Sequence, residues 1–260
     1  MLKFEESLLD HPFVLSFDLA KHIVGWSLVK IGAPNYEIIE CGLINLSKYH
    51  YEDFWLVYQR AIREAFNRAI MCARTFSVDP TSFKTPKIPE IVVIKEKLPS
   101  QAGGSSTIAT LQALAKAHAV FDLTLYEAIE DCKPLVPYDG CAPCGVEGKE
   151  SEGGIHAASV KALFRKITGL EKPTKQDIRT AVVKMCVGKD ISELREDISD
   201  SVAVTITLCE AKYNADIEEE KKALRRKIRS LKLESAKEPY QKEIERLDSL
   251  KLPKSSYEKV

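Results

Sequence analysis

The chain has 260 residues, 45% of them hydrophobic, and Lys+Arg and Asp+Glu each total 38, for a formal net charge of +0. That length buries a core as one domain plus an appendage, and no apolar run approaches the roughly 18 residues of a membrane span. With no net positive charge, any contact with nucleic acid must come from basic residues concentrated locally. Residues 1–6 (MLKFEE) put acids where a secretory signal would be apolar.

In chain order, residues 13–19, 23–31 and 36–46 read as three β-rich runs, with the clearest turn at 32–35. Antiparallel pairing is the simplest outcome of such a meander. Gly25 near the start of the second run lets a ligand or a backbone approach closely. From Tyr51 to about Arg74, Phe54, Val57, Ala61, Ala65 and Ala69 recur at helical spacing, and the aromatics Trp55, Tyr58 and Phe66 read as core packing. A proline-rich linker at 79–89 leads to the β-branched run 91–94, which ends at Lys95-Glu96-Lys97 as a buried strand would. Ser105 or Ser106 then caps a helix through about Val120, and 121–126 reads as another strand.

Residues 132–157 carry Pro, Gly, Cys and acids without periodicity, as a long inserted loop does. Helices over about 158–168 and 174–186 follow, and Asp197 opens a largely apolar helix that runs to Cys209. Residues 211–250 are helical and charged, with Ile217, Leu224, Ile228 and Leu231 as a narrow apolar seam. Glu238-Pro239 interrupts that seam and permits a new helix start. Alternation of strands and helices implies an α/β fold, a mixed sheet flanked by helices.

Four carboxylates stand where these buried elements meet solvent: Asp18, Glu96, Asp197 and Asp200. Several carboxylates do not stay ionised side by side without a cation, so a convergent set is a metal site or a set of shifted pKa values. Positions 197 and 200 share one face at the first turn of their helix. Each acid alone also has a plainer reading: Asp18 as a turn former or cap, Glu96 as part of a solvated charge run, Asp197 as a partner for the helix dipole.

The set resembles the RuvC family of Holliday-junction resolvases. Asp18 followed by Gly25 and Trp26, Glu96 at a later strand end, the Asp-x-x-Asp-Ser-x-Ala run at 197–203 and the lysine-led stretch 175–182 carry the resemblance, over roughly residues 12–210. It implies an RNase H-like fold, a mixed five-stranded sheet flanked by helices, with residues 1–210 as the nuclease domain, a flexible insertion at about 130–157, and 211–260 as a charged helical extension. It also implies a homodimer that nicks opposed strands of a four-way DNA junction symmetrically and leaves 5′-phosphate ends. Asp18, Glu96, Asp197 and Asp200 would hold Mg²⁺, or Mn²⁺ in its place, as two ions about 4 Å apart, with Lys175 offsetting phosphate charge. The family's aromatic wedge falls on Pro99 here. Nucleases for flaps, forks or RNA–DNA hybrids, and a non-catalytic junction binder, are the alternative functions. No small-molecule cofactor and no membrane partner is implied.

Lys161, Arg165, Lys166 and Lys172, with Lys175, form a basic stretch that is either a phosphate-contacting surface or a solvated helical face. Seven scattered cysteines, several within apolar elements, fit a reducing compartment and hence the cytoplasm. Cys132, Cys141, Cys144 and His156 could hold structural Zn²⁺, but their spacing fits no standard finger, and a loop with incidental thiols is the reading taken.

Overall fold

The computed structural model describes residues 12–32, 35–49, 53–77, 89–98, 107–131, 134–138, 154–188, 194–231 and 234–250. Six strands form one mixed sheet: β1 Phe13–Asp18, β2 Ile23–Lys30, β3 Tyr36–Asn45, β4 Ile91–Lys95, β5 Leu135–Pro137 and β6 Cys186–Gly188, in the order β5-β4-β1-β2-β3-β6. The meander β1-β2-β3 is antiparallel, β4 runs parallel to β1, β5 parallel to β4 and β6 parallel to β3. This is the mixed sheet expected from the sequence, with one strand more than the five expected. The extra strand, β6, occupies the end of a segment read from sequence as helix.

Helices cover both faces. On one side lie α1 (Phe54–Phe76) and α2 (Ile108–Asp131); on the other lie α3 (Ala157–Thr168), α4 (Lys175–Met185) and α5 (Glu196–Leu208). Alternation along β1 explains the layering. Phe13, Leu15 and Phe17 enter the α1/α2 core, whereas Val14 enters the α3–α5 core. Phe17 packs edge-on against Phe66 and Phe121, with centroids 5.5 and 4.9 Å away. Full burial of such a ring stabilises by about 1.5–3 kcal/mol, and each aromatic pair by about 0.5–1.5 kcal/mol more.

Three sequence readings are corrected. The run 121–126 is not a strand but the second half of α2, because Ala117, Phe121, Thr124, Leu125 and Ala128 bury one helical stripe. The strand beyond β4 lies further on, at 135–137, inside the segment expected to be a long loop. In α1 the buried stripe is Phe54, Tyr58, Ile62, Ala65, Phe66, Ala69 and Ala73, turned so that Phe54, Tyr58 and Phe66 go inward. Finally, Pro239 does not start a helix. It lies inside α7 (Glu234–Leu250), close enough to the helix start to forfeit a single intrahelical hydrogen bond.

After α5 the chain continues through a π-helical turn at Cys209–Tyr213 into α6 (Asn214–Ser230). Ile217 and Leu224 of α6 and Leu247 of α7 join the same apolar cluster as α5. The buried Lys221 ammonium binds Asp248 and ties α6 to α7.

Candidate active site

Asp18 and Glu96 are brought side by side by the sheet. β1 and β4 are parallel with Phe17 opposite Lys95, and the Glu96 amide donates to the Phe17 carbonyl at 3.1 Å. Asp18 and Glu96 thereby occupy the first positions past the ladder, on the face that Val14, Val92 and Ile94 turn toward α5. Asp18 also lies opposite Gly25 on β2. A Cβ on residue 25 would fall 1.9 Å from the Asp197 carbonyl oxygen, so only glycine lets the first turn of α5 lie on the strand.

A buried hydroxyl network fixes α5 on that face. The Thr205 hydroxyl donates to Ser16 Oγ at 2.8 Å, and Ser16 donates to the Ser201 carbonyl at 2.8 Å. Ser27 Oγ lies 2.8 Å from Ser16 and accepts from Ser201 at 3.0 Å. All four residues are buried. Their sequence signal was available: Ser16 and Ser27 sit at the centres of otherwise apolar strands, and Ser201 and Thr205 are four apart on one helical face.

The electrostatics follow from this crowding. Burial first, and then the Glu96 and Asp200 charges, hold Asp18 well above the usual carboxylate range, against the pull of Lys175. Each acid also acts on the other: Glu96 adds to the rise at Asp18, while the Asp18 side chain lowers Glu96. Glu96 is raised by burial, and Asp200 is raised by burial with help from the Asp197 and Glu196 charges. The Asp200 charge thus acts on both Asp18 and Glu96, and the Asp197 charge acts on Asp200 and on Lys175.

Two lysines oppose this charge. Lys175 is the first residue of α4, whose start is fixed by a capping box: Thr174 Oγ1 accepts from the Asp177 amide and Asp177 accepts from the Thr174 amide. Its ammonium donates to Asp200 Oδ2 at 2.7 Å, which raises the lysine pKa. The Lys161 charge on α3 pulls the Glu96 pKa down, against the rise caused by burial. Arg165, Lys166 and Lys172 are exposed on α3 and the segment after it.

The inserted segment returns to this site. Gly154, at φ +117°, lies so close to the Lys95 and Glu96 backbone that a Cβ would meet the Lys95 carbonyl at 2.7 Å. Ile155 bridges to Glu96: its amide donates to the Lys95 carbonyl at 3.0 Å, and its carbonyl accepts from Lys97 at 2.9 Å. His156 then precedes α3 at its N-cap position. Cys132, Cys141 and Cys144, the other members of the candidate zinc set, and Pro99 lie outside the described residues.

The donor set suits a hard divalent cation: Asp18, Glu96 and Asp200 offer only oxygen, are desolvated, and repel one another. Among the described residues no group of three or more His, Cys, Asp or Glu side chains is placed so that it could hold a metal ion. Asp200 is held instead by the Lys175 ammonium.

The sequence matches no protein-family model and no curated protein. Among solved structures the chain is similar to Thermus thermophilus RuvC in complex with Holliday junction substrate, with a TM-score of 0.47 at 12% identity over 75% of this chain and 91% of that one. It is also similar to the Thermus thermophilus RuvC structure, with a TM-score of 0.45 at 13% identity over 75% and 91% of the two chains. A third similarity is to the yeast mitochondrial Holliday junction resolvase Ydc2, with a TM-score of 0.41 at 9% identity over 76% of this chain and 78% of that one.

Proposed function

We propose that the chain is a divalent-metal-dependent, structure-selective endonuclease that resolves four-way DNA junctions. The observation that supports this reading is the pairing of Asp18 with Glu96 at adjacent parallel strand ends, where the charges of Asp200 and Lys175 act on both acids. Asp18, Glu96 and Asp200, with Asp197 at their edge, would hold Mg²⁺ or Mn²⁺, which supplies an activated water and a stabilised leaving oxygen at the scissile phosphate. The chain's own part is to keep the acids desolvated and together through Gly25 and the hydroxyl network. Lys175 offsets phosphate charge beside Asp200, and the 5′-phosphate product follows from expelling the 3′-oxygen.

Lys161, Arg165, Lys166 and Lys172 would neutralise backbone phosphates on the same side, giving a salt-dependent affinity. Symmetric nicking requires two sites, and the outward face of α2 supports a homodimer. That face exposes Ile108 (74%), Leu123 (53%) and Tyr126 (44%), with the small Ala115 and Ala119 between them. Residues 1–210 would carry the nuclease and 211–260 the helical extension. A cytoplasmic setting fits the buried thiols of Cys186 and Cys209. No described helix is long and apolar enough to cross a membrane.

Cleavage of a mobile four-way junction, beside matched flap, fork, RNA–DNA hybrid and linear duplex substrates, tests the reading with Mg²⁺ present. The intact junction should be cut in preference, and Asp18→Asn and Asp200→Asn should abolish cutting while retaining binding. Full turnover by either variant, or preference for another substrate, would sink it.

A further inference from the structure

On the α1/α2 side of the sheet, at the turn that follows Asp18, lies a second cavity of about 400 Å³. Lys21 and His22 reach it from the β1–β2 turn, Tyr49 from the segment after β3, Trp55 from the first turn of α1, and Gln112 and Lys116 from α2. The charged side chains lining it among the described residues are the cations Lys21 and Lys116; no carboxylate lines it. Trp55 is only partly buried and Tyr49 is 49% exposed, so aromatic surface remains for a ligand. The sequence suggested that all three α1 aromatics are core. Tyr58 and Phe66 are, but Trp55 stands at the rim of this cavity.

The cavity is tied to the acids by an unbroken run of rings. His22 meets Phe54 at 5.6 Å, Phe54 meets Trp55 at 4.9 Å, and Trp55 meets Tyr58 at 5.7 Å. The Tyr58 hydroxyl donates to the Ala20 carbonyl at 3.3 Å, two residues past Asp18. His22 Nδ1 is buried and has no hydrogen-bond partner among the described residues, a state that a ligand's polar edge would relieve.

We propose that this cavity receives one unpaired nucleotide of a nucleic-acid strand, with its base against Trp55 and Tyr49 and its phosphate between Lys21 and Lys116. Flat aromatic surface flanked by ammonium groups, without opposing acids, is the chemistry that grips a base and its phosphate independently of sequence. The proposal rests on the nucleic-acid reading above for its ligand and adds a place, on the α1/α2 side at the turn that follows Asp18, where a strand is held open.

The chain has two tryptophans, and Trp26 is buried at 4% exposure, so a change in fluorescence on binding reports mainly on Trp55. Full-length protein is titrated in EDTA with a short oligothymidylate, with the same strand carrying abasic sites, and with thymidine monophosphate. The intact strand should quench Trp55 and bind at least about fivefold tighter than the abasic strand, the range expected for one lost base stack. Trp55→Leu should remove the quench and that difference. Lys116→Ala, at an exposed position, should reduce the salt slope of binding by about 0.7. Equal binding of intact and abasic strands, or a free nucleotide binding as tightly as the strand, would overturn the proposal. Because no cleavage occurs in EDTA, the two readings fail separately. A chain that holds the strand here but never cuts a junction sinks the nuclease alone. One that cuts junctions yet ignores the base sinks the cavity alone.

Discussion

The Asp197 carbonyl oxygen lies where a side chain on residue 25 would begin, 1.9 Å from the position of its Cβ. Gly25 is itself opposite Asp18 in the β1–β2 ladder, so this contact sets how far Asp200 stands from Asp18. The obstacle is backbone and cannot swing aside as a side chain would. Gly25→Ala should therefore lift the first turn of α5, at a cost of about 3 kcal/mol or more, the upper range for overpacking. Denaturant titration with and without Mg²⁺ checks it: both stability and any metal-induced stabilisation should fall. Wild-type values for both would show that α5 is not held by this contact.

The carboxyls make a second prediction, with a definite sign. Asp18, Glu96 and Asp200 are all raised in the folded protein, Asp18 most clearly, each first by burial. A group raised in this way contributes stability that is complete below its unfolded value, near pH 4, and is lost as pH rises through the folded value. Metal-free protein at pH 7 should thus be less stable than its Asp18→Asn variant, by about 1.4 kcal/mol for each unit by which the pKa is raised. That advantage should shrink as pH falls toward 4. Mg²⁺ should raise the melting temperature of the wild type and leave Asp18→Asn nearly unmoved. Thermal melts across pH with EDTA or Mg²⁺ decide the matter without reference to activity.

Lys175 tests function apart from stability. Its side chain is 58% exposed, and such ion pairs contribute about 0–1 kcal/mol to folding. Lys175→Ala should therefore melt within a few degrees of wild type. Under the nuclease reading it should lose about a hundredfold in junction cleavage, as removal of one preorganised charge does. A variant that cuts at the wild-type rate would remove Lys175 from the site.

The hydroxyl network offers a coupling measurement. Thr205→Val removes a donor to Ser16, and Ser16→Ala leaves the Ser201 carbonyl without its buried partner. Each should cost about 1–3 kcal/mol, because an unsatisfied buried polar group carries its full desolvation penalty. The double substitution should cost clearly less than the sum, since the pair shares one hydrogen bond. Strict additivity would mean that the two hydroxyls act independently.

Much of this site was legible because it depends on local patterns. The strand ends at Asp18 and Glu96, the helix start at Asp197 and the small residue at position 25 each carried a signal within a few residues. Illegible were the features that need two distant segments at once. Ser16 and Ser27 carry a local signal as hydroxyls within apolar strands, but their partners Thr205 and Ser201 are fixed only once α5 lies across them. The run 121–126 alternates in a way that suits a strand, and only its packing against α1 and β4 shows that the helical stripe decides. Likewise Lys95 and Glu96 sit in one charge run, yet the pleat sends them to opposite faces: Glu96 to the acids, and Lys95 into the α2 side of the core.

That Lys95 position yields the last prediction. Its side chain is 5% exposed, its ammonium binds Asp122 of α2, and it lies 5.5 Å from the Phe121 ring centroid. Burial raises the Asp122 carboxyl while Lys95 opposes the rise, and burial together with Lys95 pushes the nearby His118 down to about 3, so the imidazole stays neutral. Lys95 is therefore the cation that compensates Asp122. Lys95→Met should destabilise by about 3–5 kcal/mol, the cost of leaving one buried partner uncompensated. Without the ammonium the Asp122 pKa rises further, so the stability lost is greatest at neutral pH and shrinks as pH falls and the carboxyl protonates. Adding Asp122→Leu should recover most of the loss, because an apolar pair removes the charge that needed a partner. Urea unfolding of the single and double variants at pH 5 and pH 8 measures all three effects. A single variant with a pH-independent deficit, or a double variant no more stable than Lys95→Met, would show that lost packing rather than stranded charge sets the cost.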